Sequence, residues 1–405
     1  MYIPRQAENL VREMLSMFKV VLVTGPRQVG KTTLLKHLLG EDYTYVTLDD
    51  INALDVAKSD PKLFFFNYPG KIIIDEVQYA PELFREIKRL VDESDEFGTI
   101  VLTGSQTFSL MNNVSETLAG RIGILELNGL SLREIRRDPF SEPVVPDETY
   151  LNSERVKTMA ANLWETIHRG SMPELYRNTD MKWQLFYAAY VKTYIERDVR
   201  LIINVKDLNL FAKFMVALAA RTGQLLNHSA ISNELGVEVK TIKSWTSVLE
   251  TSGIIALVQP FSNNRLTRTV KTPMLYFMDT GLVCYLLNWL TPGTLMNGAM
   301  SGQILETFAV SEIIKSFKNN GVLQVPLFFY RDKDMYEIDI IIERSGVLYP
   351  MEVKKSATPK ASMGRHLSIV DKAEGYTTGK RVILCLVDRK IYLNQEIIAY
   401  PISQL

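Results

Sequence analysis

Cysteine is nearly absent from this sequence: two among 405 residues, Cys284 and Cys385, both in apolar surroundings, beside only four histidines. So small a stock argues against a disulfide framework or a zinc cluster and fits a reducing cytoplasm. An excess of one charge is also missing. Lys+Arg 46 balances Asp+Glu 46, so no global basic field announces a nucleic-acid binder, and any such binding must come from local patches. No apolar run reaches 18 residues, and the N-terminus has no charged-then-apolar leader before a small-residue cleavage site. The expectation is a soluble, cytoplasmic protein with no membrane partner. There is no low-complexity segment and no repeat of fixed period. The length instead suits two or three domains.

What is present concentrates first at residues 20–35. Val20 to Val23 form a short β-branched run, and Leu34, Leu35, Leu38 and Leu39 recur at helical spacing. Between them, Gly25-Pro26-Arg27-Gln28-Val29-Gly30-Lys31-Thr32-Thr33 fits the phosphate-loop pattern GxxxxGK[ST]. Its glycines let backbone N–H groups curl round a phosphate chain, and the helix N-terminus adds its dipole. Lys31 is expected on the β- and γ-phosphates of ATP and Thr32 on Mg²⁺.

Further apolar runs follow at 43–48, 71–78 and 99–106. The second, KIIIDEVQ, delivers Asp75 and Glu76 to the C-terminal strand edge where open α/β sheets bind ligands. Asp75 is expected to hold Mg²⁺ through water, and Glu76 to orient or deprotonate the water attacking the γ-phosphate. Thr103, Ser105 and Gln106 leave the third run beside the same edge. Ser105 is the candidate for sensing the γ-phosphate, with a structural turn as the alternative. LAGRIGILEL, 118–127, carries Arg121 into another strand. Such an arginine can stabilise transition-state charge in the same or a neighbouring subunit, or simply form a surface ion pair.

Strands alternating with helical segments describe a doubly wound sheet. The wording GPRQVGKTTL, IIIDEVQ, LTGSQ, LAGR and MPEL resembles the bacterial and archaeal AAA-type ATPases that carry an uncharacterised C-terminal domain. That resemblance implies ATP binding and hydrolysis but no particular biological task, and a second copy of the chain, met through the ATPase domain, is one candidate partner.

Past the breaker-rich stretch holding Pro139, Pro143 and Pro146, residues 150–220 read as helical and suit a lid. Arg197 and Asp198 there could reach the nucleotide or form a structural ion pair. Residues 227–255 have helix-turn-helix spacing, with helices from Ser229 to Leu235 and from about Glu238 to Glu250 around Gly236. Ile231, Leu235, Ile242 and Leu249 would pack inward, leaving Lys240, Thr241, Lys243, Ser244 and Ser247 outward. Two strands follow, joined by a basic tip of Arg265, Arg268 and Lys271, as in a winged helix. DNA is one expected partner of such a face, and packing against protein is the other.

The last third offers a helix at 302–317 bearing Glu306, then strands at 337–343 and 347–356 turned at Arg344-Ser345-Gly346. Asp339 and Glu352 stand thirteen residues apart, with Lys354 two beyond. Two carboxylates there could hold Mg²⁺ or Mn²⁺ while Lys354 positions a hydroxide or steadies a phosphate. The set is similar to the D…ExK core of the PD-(D/E)xK nucleases, which implies Glu306, Asp339 and Glu352 as metal ligands and Lys354 as catalytic. A solvated hairpin face, a Glu352–Lys354 salt bridge and a nuclease fold without activity are the alternatives.

The expected architecture is therefore α/β throughout. A P-loop AAA+ ATPase core spans 1–145, a helical lid or linker 146–215, a winged helix 216–280, and a restriction-endonuclease-like domain 281–405. The corresponding function is ATP hydrolysis coupled to DNA binding and metal-dependent cleavage. The rival is an ATP-dependent switch or scaffold whose C-terminal domains bind protein.

Overall fold

The computed structural model describes residues 2–105, 114, 117–155, 160–194, 208–262, 272–334 and 336–405, with the side chains of 105 and 160–162 left aside. The chain divides into two compact units. The first holds residues 1–130 with the short segments 251–253 and 318–323, and the second holds the remainder.

Among the described residues, the first unit carries five parallel strands: β1 (Val20–Gly25), β2 (Thr44–Thr47), β3 (Ile72–Asp75), β4 (Ile100–Ser105) and β5 (Ile122–Glu126). Their order in the sheet is β2-β3-β4-β1-β5. Side chains alternate across a strand, and the apolar runs are continuous because both faces are covered. Val20, Leu22, Ile72, Ile74, Ile100 and Leu102 enter one buried cluster, and Val21, Val23, Ile73 and Val101 enter another. The helix Lys31–Leu39 follows β1 directly and buries Leu34 and Leu35 on the second cluster. A helix at Glu8–Met17 adds Val11 to the same face. Parallel connection brings the C-terminal ends of β1, β3 and β4 to one edge, and Ser105 pairs with Gly25 there.

The second unit is built on one long sheet. Its order is β14 (Ile391–Tyr392), β15 (Ile397–Pro401), β13 (Arg381–Cys385), β11 (Val347–Val353), β10 (Glu337–Arg344), β9 (Leu327–Arg331), β7 (Ile255–Pro260), β8 (Met274–Phe277) and β6 (Gln224–Leu225), with β12 (Thr377–Thr378) beside β11. The hairpin β10–β11 turns at Ser345 and Gly346, whose φ of 52° and 77° give the mirror-image turn that matches strand twist. The helices His228–Leu235 and Val239–Thr251 are joined through Gly236 at φ 66°. Ile231, Ile242 and Leu249 are buried, Lys240, Lys243 and Ser244 are exposed, and Leu235 is only half-buried.

The expected breaks at 145/146, 215/216 and 280/281 do not coincide with the observed division, which falls at Leu130. Across 280/281, Gln259 and Pro260 on β7 pair in parallel with Phe328 and Phe329 on β9. That join makes the strands after the helix pair continuous with the C-terminal sheet.

Candidate nucleotide and metal sites

The first site grows from the β1 exit. Gly25 lies at φ 139°, and a Cβ there would sit 2.0 Å from the Leu127 carbonyl oxygen, so only glycine lets the chain leave β1 at this point. Gln28 takes φ 60° without being glycine, a strained backbone that persists only where the surrounding structure holds it. Gly30, at φ 92°, opens the helix. Val29 is buried in the core behind the loop, while Thr33 faces solvent. Lys31 is buried, and its ammonium donates to the carbonyls of Gly25 at 3.0 Å and Pro26 at 2.8 Å.

Asp75, at the end of β3, accepts three hydroxyls: Thr32 Oγ1 at 3.0 Å, Tyr45 Oη at 2.7 Å, and Thr103 Oγ1. Tyr45 was legible only as a strand residue. Its phenol is pushed well above the ordinary range by burial, then by its bond to the Asp75 carboxylate. Glu76 follows in the left-handed region at φ 58°, which turns its side chain out of the strand, and Gln78 donates its amide to the carboxylate. The structure therefore brings Lys31, Thr32, Asp75 and Glu76 to one sheet edge. An ammonium, a hydroxyl, a helix N-terminus and a carboxylate with hydroxyl partners are the donor set that fits a nucleotide triphosphate and Mg²⁺. The side chain of Ser105 and all of Gln106 lie outside the described residues.

Arg121 is placed elsewhere. It stands just before β5, whose Ile122 pairs with Val20 at the start of β1, whereas the loop leaves the far end of β1 at Gly25. Five residue steps along a strand span about 16 Å. Its guanidinium pairs with Asp92, Nε to Oδ1 at 2.5 Å. The length of β1 thus lies between Arg121 and the phosphate loop of its own chain.

The second constellation lies on β10, β11 and the helix Ser301–Lys318. Ile340 pairs with Met351, and continuing that register by one sets Asp339 opposite Glu352 on one face. The pairing of β10 with β9 shifts register between Ile338 and Ile341, the stretch that holds Asp339. Lys354 Nζ contacts Glu352 at 2.5 Å and Asp339 at 3.6 Å, and Asp339 accepts the Val353 amide at 2.8 Å. Glu306 accepts the Tyr276 hydroxyl at 2.6 Å. Glu306, Asp339 and Lys354 line a cavity of about 540 Å³ together with Arg331 and Glu337, neither of which the sequence pattern singled out.

Burial raises Glu306 well above the usual carboxylate range, and the nearby Asp339 charge adds to this. Glu352 is pushed up to about 8 by burial and by Asp339, while Lys354 opposes the rise. Lys354 itself is raised: burial lowers it, but the surrounding carboxylates outweigh that. Among the described residues, no three carboxylate, imidazole or thiol groups are arranged to hold a metal ion. The expected ligands are Glu306, Asp339 and Glu352. Lys354 lies against two of them, and Glu306 is turned to Tyr276. Arg197, Asp198, Arg265, Arg268 and Lys271 lie outside the described residues.

Residues 17–136 match the family model described as AAA domain. Residues 160–292 and 301–405 match two domains of unknown function, DUF8612 and DUF4143. Uncharacterised proteins of Mycobacterium tuberculosis and Mycobacterium bovis are each 27% identical over 99% of this chain and 84% of their own length. One from Haemophilus influenzae is 23% identical over 68% of this chain and 72% of its own. Among solved structures, the Walker-type ATPase of Pyrococcus abyssi overlaps with a TM-score of 0.45 at 16% identity, over 70% of this chain and 96% of its own. RuvB of Thermotoga maritima overlaps with a TM-score of 0.29 at 17% identity, over 62% of this chain and 88% of its own. The segment similar to the AAA domain model contains β1, the helix opened by Lys31, and β3 with Asp75 and the following Glu76.

Proposed function

We propose that the protein binds and hydrolyses ATP at the β1–β3 edge of its first unit. The observation that carries this reading is the meeting of Thr32, Thr103 and Tyr45 on the Asp75 carboxylate, next to Lys31 and Glu76. Lys31 would exchange its two loop carbonyls for phosphate oxygens, and the Gly30 and Lys31 amides at the helix start would face the same anion. Thr32 and Asp75 would hold Mg²⁺, which when bound neutralises phosphate charge. Glu76 would orient the attacking water and take its proton. Release of inorganic phosphate from Mg·ATP by the purified protein tests the reading. Turnover that is equal in Lys31→Ala and in the unaltered protein would refute it.

A second reading concerns the other unit: metal-dependent cleavage of a phosphodiester in DNA, with the helix pair and its basic flank as the DNA-binding face. Its support is the contact of Lys354 with both Asp339 and Glu352, with Asp339 and Lys354 lining one cavity. Asp339 and Glu352 would share Mg²⁺ or Mn²⁺, and Lys354 would then swing toward the scissile phosphate. The rival is an ATP-driven switch whose second unit binds protein. It is favoured by the pairing of Lys354 with Glu352 and Asp339 inside the chain. Plasmid and linear DNA incubated with Mg²⁺ or Mn²⁺, with and without ATP, separate the two.

A further inference from the structure

Arg5 lies ahead of the matched AAA segment and is buried. One arm of its guanidinium, Nη1, donates to the Val29 carbonyl at 2.8 Å, and the other, Nη2, to the Asn128 carbonyl at 2.7 Å. Val29 is the residue before Gly30 in the loop, and Asn128 lies just past β5, next to the Leu127 that closes on Gly25. The arginine is itself held. Its backbone N–H donates to Glu8 Oε1 at 2.8 Å, Tyr2 donates to the same oxygen at 2.7 Å, and Ala7 and Val11 pack with Val29 and Leu127 in one core.

A peptide unit is planar and trans, so the carbonyl of Val29 and the amide of Gly30 point in opposite directions. Fixing the carbonyl on Arg5, behind the loop, turns the Gly30 N–H to the front. That is the side on which a phosphate would sit. A planar guanidinium is suited to this because its fork reaches two acceptors at once from a rigid frame. We infer that Arg5 is a positioning residue for phosphate binding: it bridges the loop to the segment after β5 and so presets the Gly30 amide. The inference rests on the ATP reading of this site and names a residue that neither the loop pattern nor the AAA match includes.

The test is the affinity of the full-length protein for ADP and for AMP, measured by competition with a fluorescent ATP analogue in Mg²⁺, alongside its thermal midpoint without nucleotide. Arg5→Met keeps the aliphatic stem and removes the donors. The expected result is an ADP affinity about tenfold weaker with AMP nearly unchanged, since AMP has no β-phosphate for the loop to grip. Arg5→Lys, whose ammonium reaches one carbonyl at a time, should fall between. A folded Arg5→Met with an unaltered ADP-over-AMP preference overturns the inference, as does an equal loss for both nucleotides, which marks a general effect on the fold. Should Arg5→Met fail to fold, Arg5→Lys decides, and an unaltered preference in it is equally fatal. Absence of any nucleotide binding by the unaltered protein fails the ATP reading itself, a result distinguishable from all of these.

Discussion

Thr32 and Asp75, on neighbouring elements but 43 residues apart in sequence, lie within hydrogen-bond reach, the threonine hydroxyl 3.0 and 3.2 Å from the two carboxylate oxygens. A hydroxyl and a carboxylate so close are the two oxygens that a hard cation would take in common. Lys31 and Glu76 flank them with separable tasks. Lys31→Ala should lose both nucleotide binding and turnover, because the cation facing the phosphates is gone. Glu76→Gln should bind Mg·ATP with affinity within a few-fold of the unaltered protein while hydrolysis falls by about 10²-fold or more. Equilibrium binding and single-turnover phosphate release read the two effects separately. Full hydrolysis in Glu76→Gln would remove that residue from the mechanism.

Arg121 makes a different prediction because its strand end is remote from its own phosphate loop. If it serves a neighbouring copy, turnover per chain should rise with protein concentration, and Arg121→Ala should lose about 10³-fold. Mixing Arg121→Ala with Lys31→Ala should then restore activity, since each variant supplies what the other lacks. Asp92→Asn, which frees the arginine, should leave turnover at least as high. Unchanged turnover in Arg121→Ala would reduce it to the exposed ion pair that the structure displays.

The phosphate loop could be read from the sequence because its chemistry is local: the spacing of Gly25, Gly30, Lys31 and Thr32 fixes both backbone and donors within eight residues. Asp75 and Glu76 were legible for a similar reason, standing at the end of an apolar run. Tyr45 and Arg5 reach the same site through tertiary packing, and their own neighbours in sequence carry no sign of it, whereas Thr103 was legible beside that edge but not as a partner of Asp75. Strand order is likewise non-local, so the distance between Arg121 and the loop became visible only once β5 was seen parallel to β1. In the second unit the residues of each strand were legible. The β7–β9 pairing that merges two expected domains was not, since it involves only Gln259 and Pro260 with Phe328 and Phe329.

Glu352 gives the second unit a pH response. Its folded-state pKa, about 8, lies above that of an exposed glutamate, so the native chain holds the proton more tightly than the unfolded one. Its contribution to stability is fully present at pH values below the unfolded pKa of roughly 4.3 and is lost as pH rises toward 8. With divalent cations chelated, the midpoint of denaturant unfolding should therefore fall between pH 5 and about 8. Glu352→Gln, which cannot ionise, should flatten that slope. An equal slope in the variant would assign the response to another group.

The last prediction separates a nuclease from a switch. Lys354 lies 2.5 Å from Glu352 and 3.6 Å from Asp339, so a cation entering between the two carboxyl groups must displace the ammonium already seated there. Metal affinity should then be weak in the unaltered protein and several-fold tighter in Lys354→Met, measured calorimetrically with Mn²⁺. Cleavage should behave in the opposite way, because the displaced lysine would be the group that steadies the phosphate. Lys354→Met should bind the metal yet cut no DNA, Asp339→Asn should do neither, and Lys31→Ala should still cut unless ATP gates access to the cavity. Tighter Mn²⁺ binding in Lys354→Met together with no cleavage by any form would mark a site that keeps its ligands and has lost its reaction, which is the switch. No Mn²⁺ binding in either form would remove the metal altogether and leave Glu352, Asp339 and Lys354 as a half-buried polar cluster holding β10 to β11.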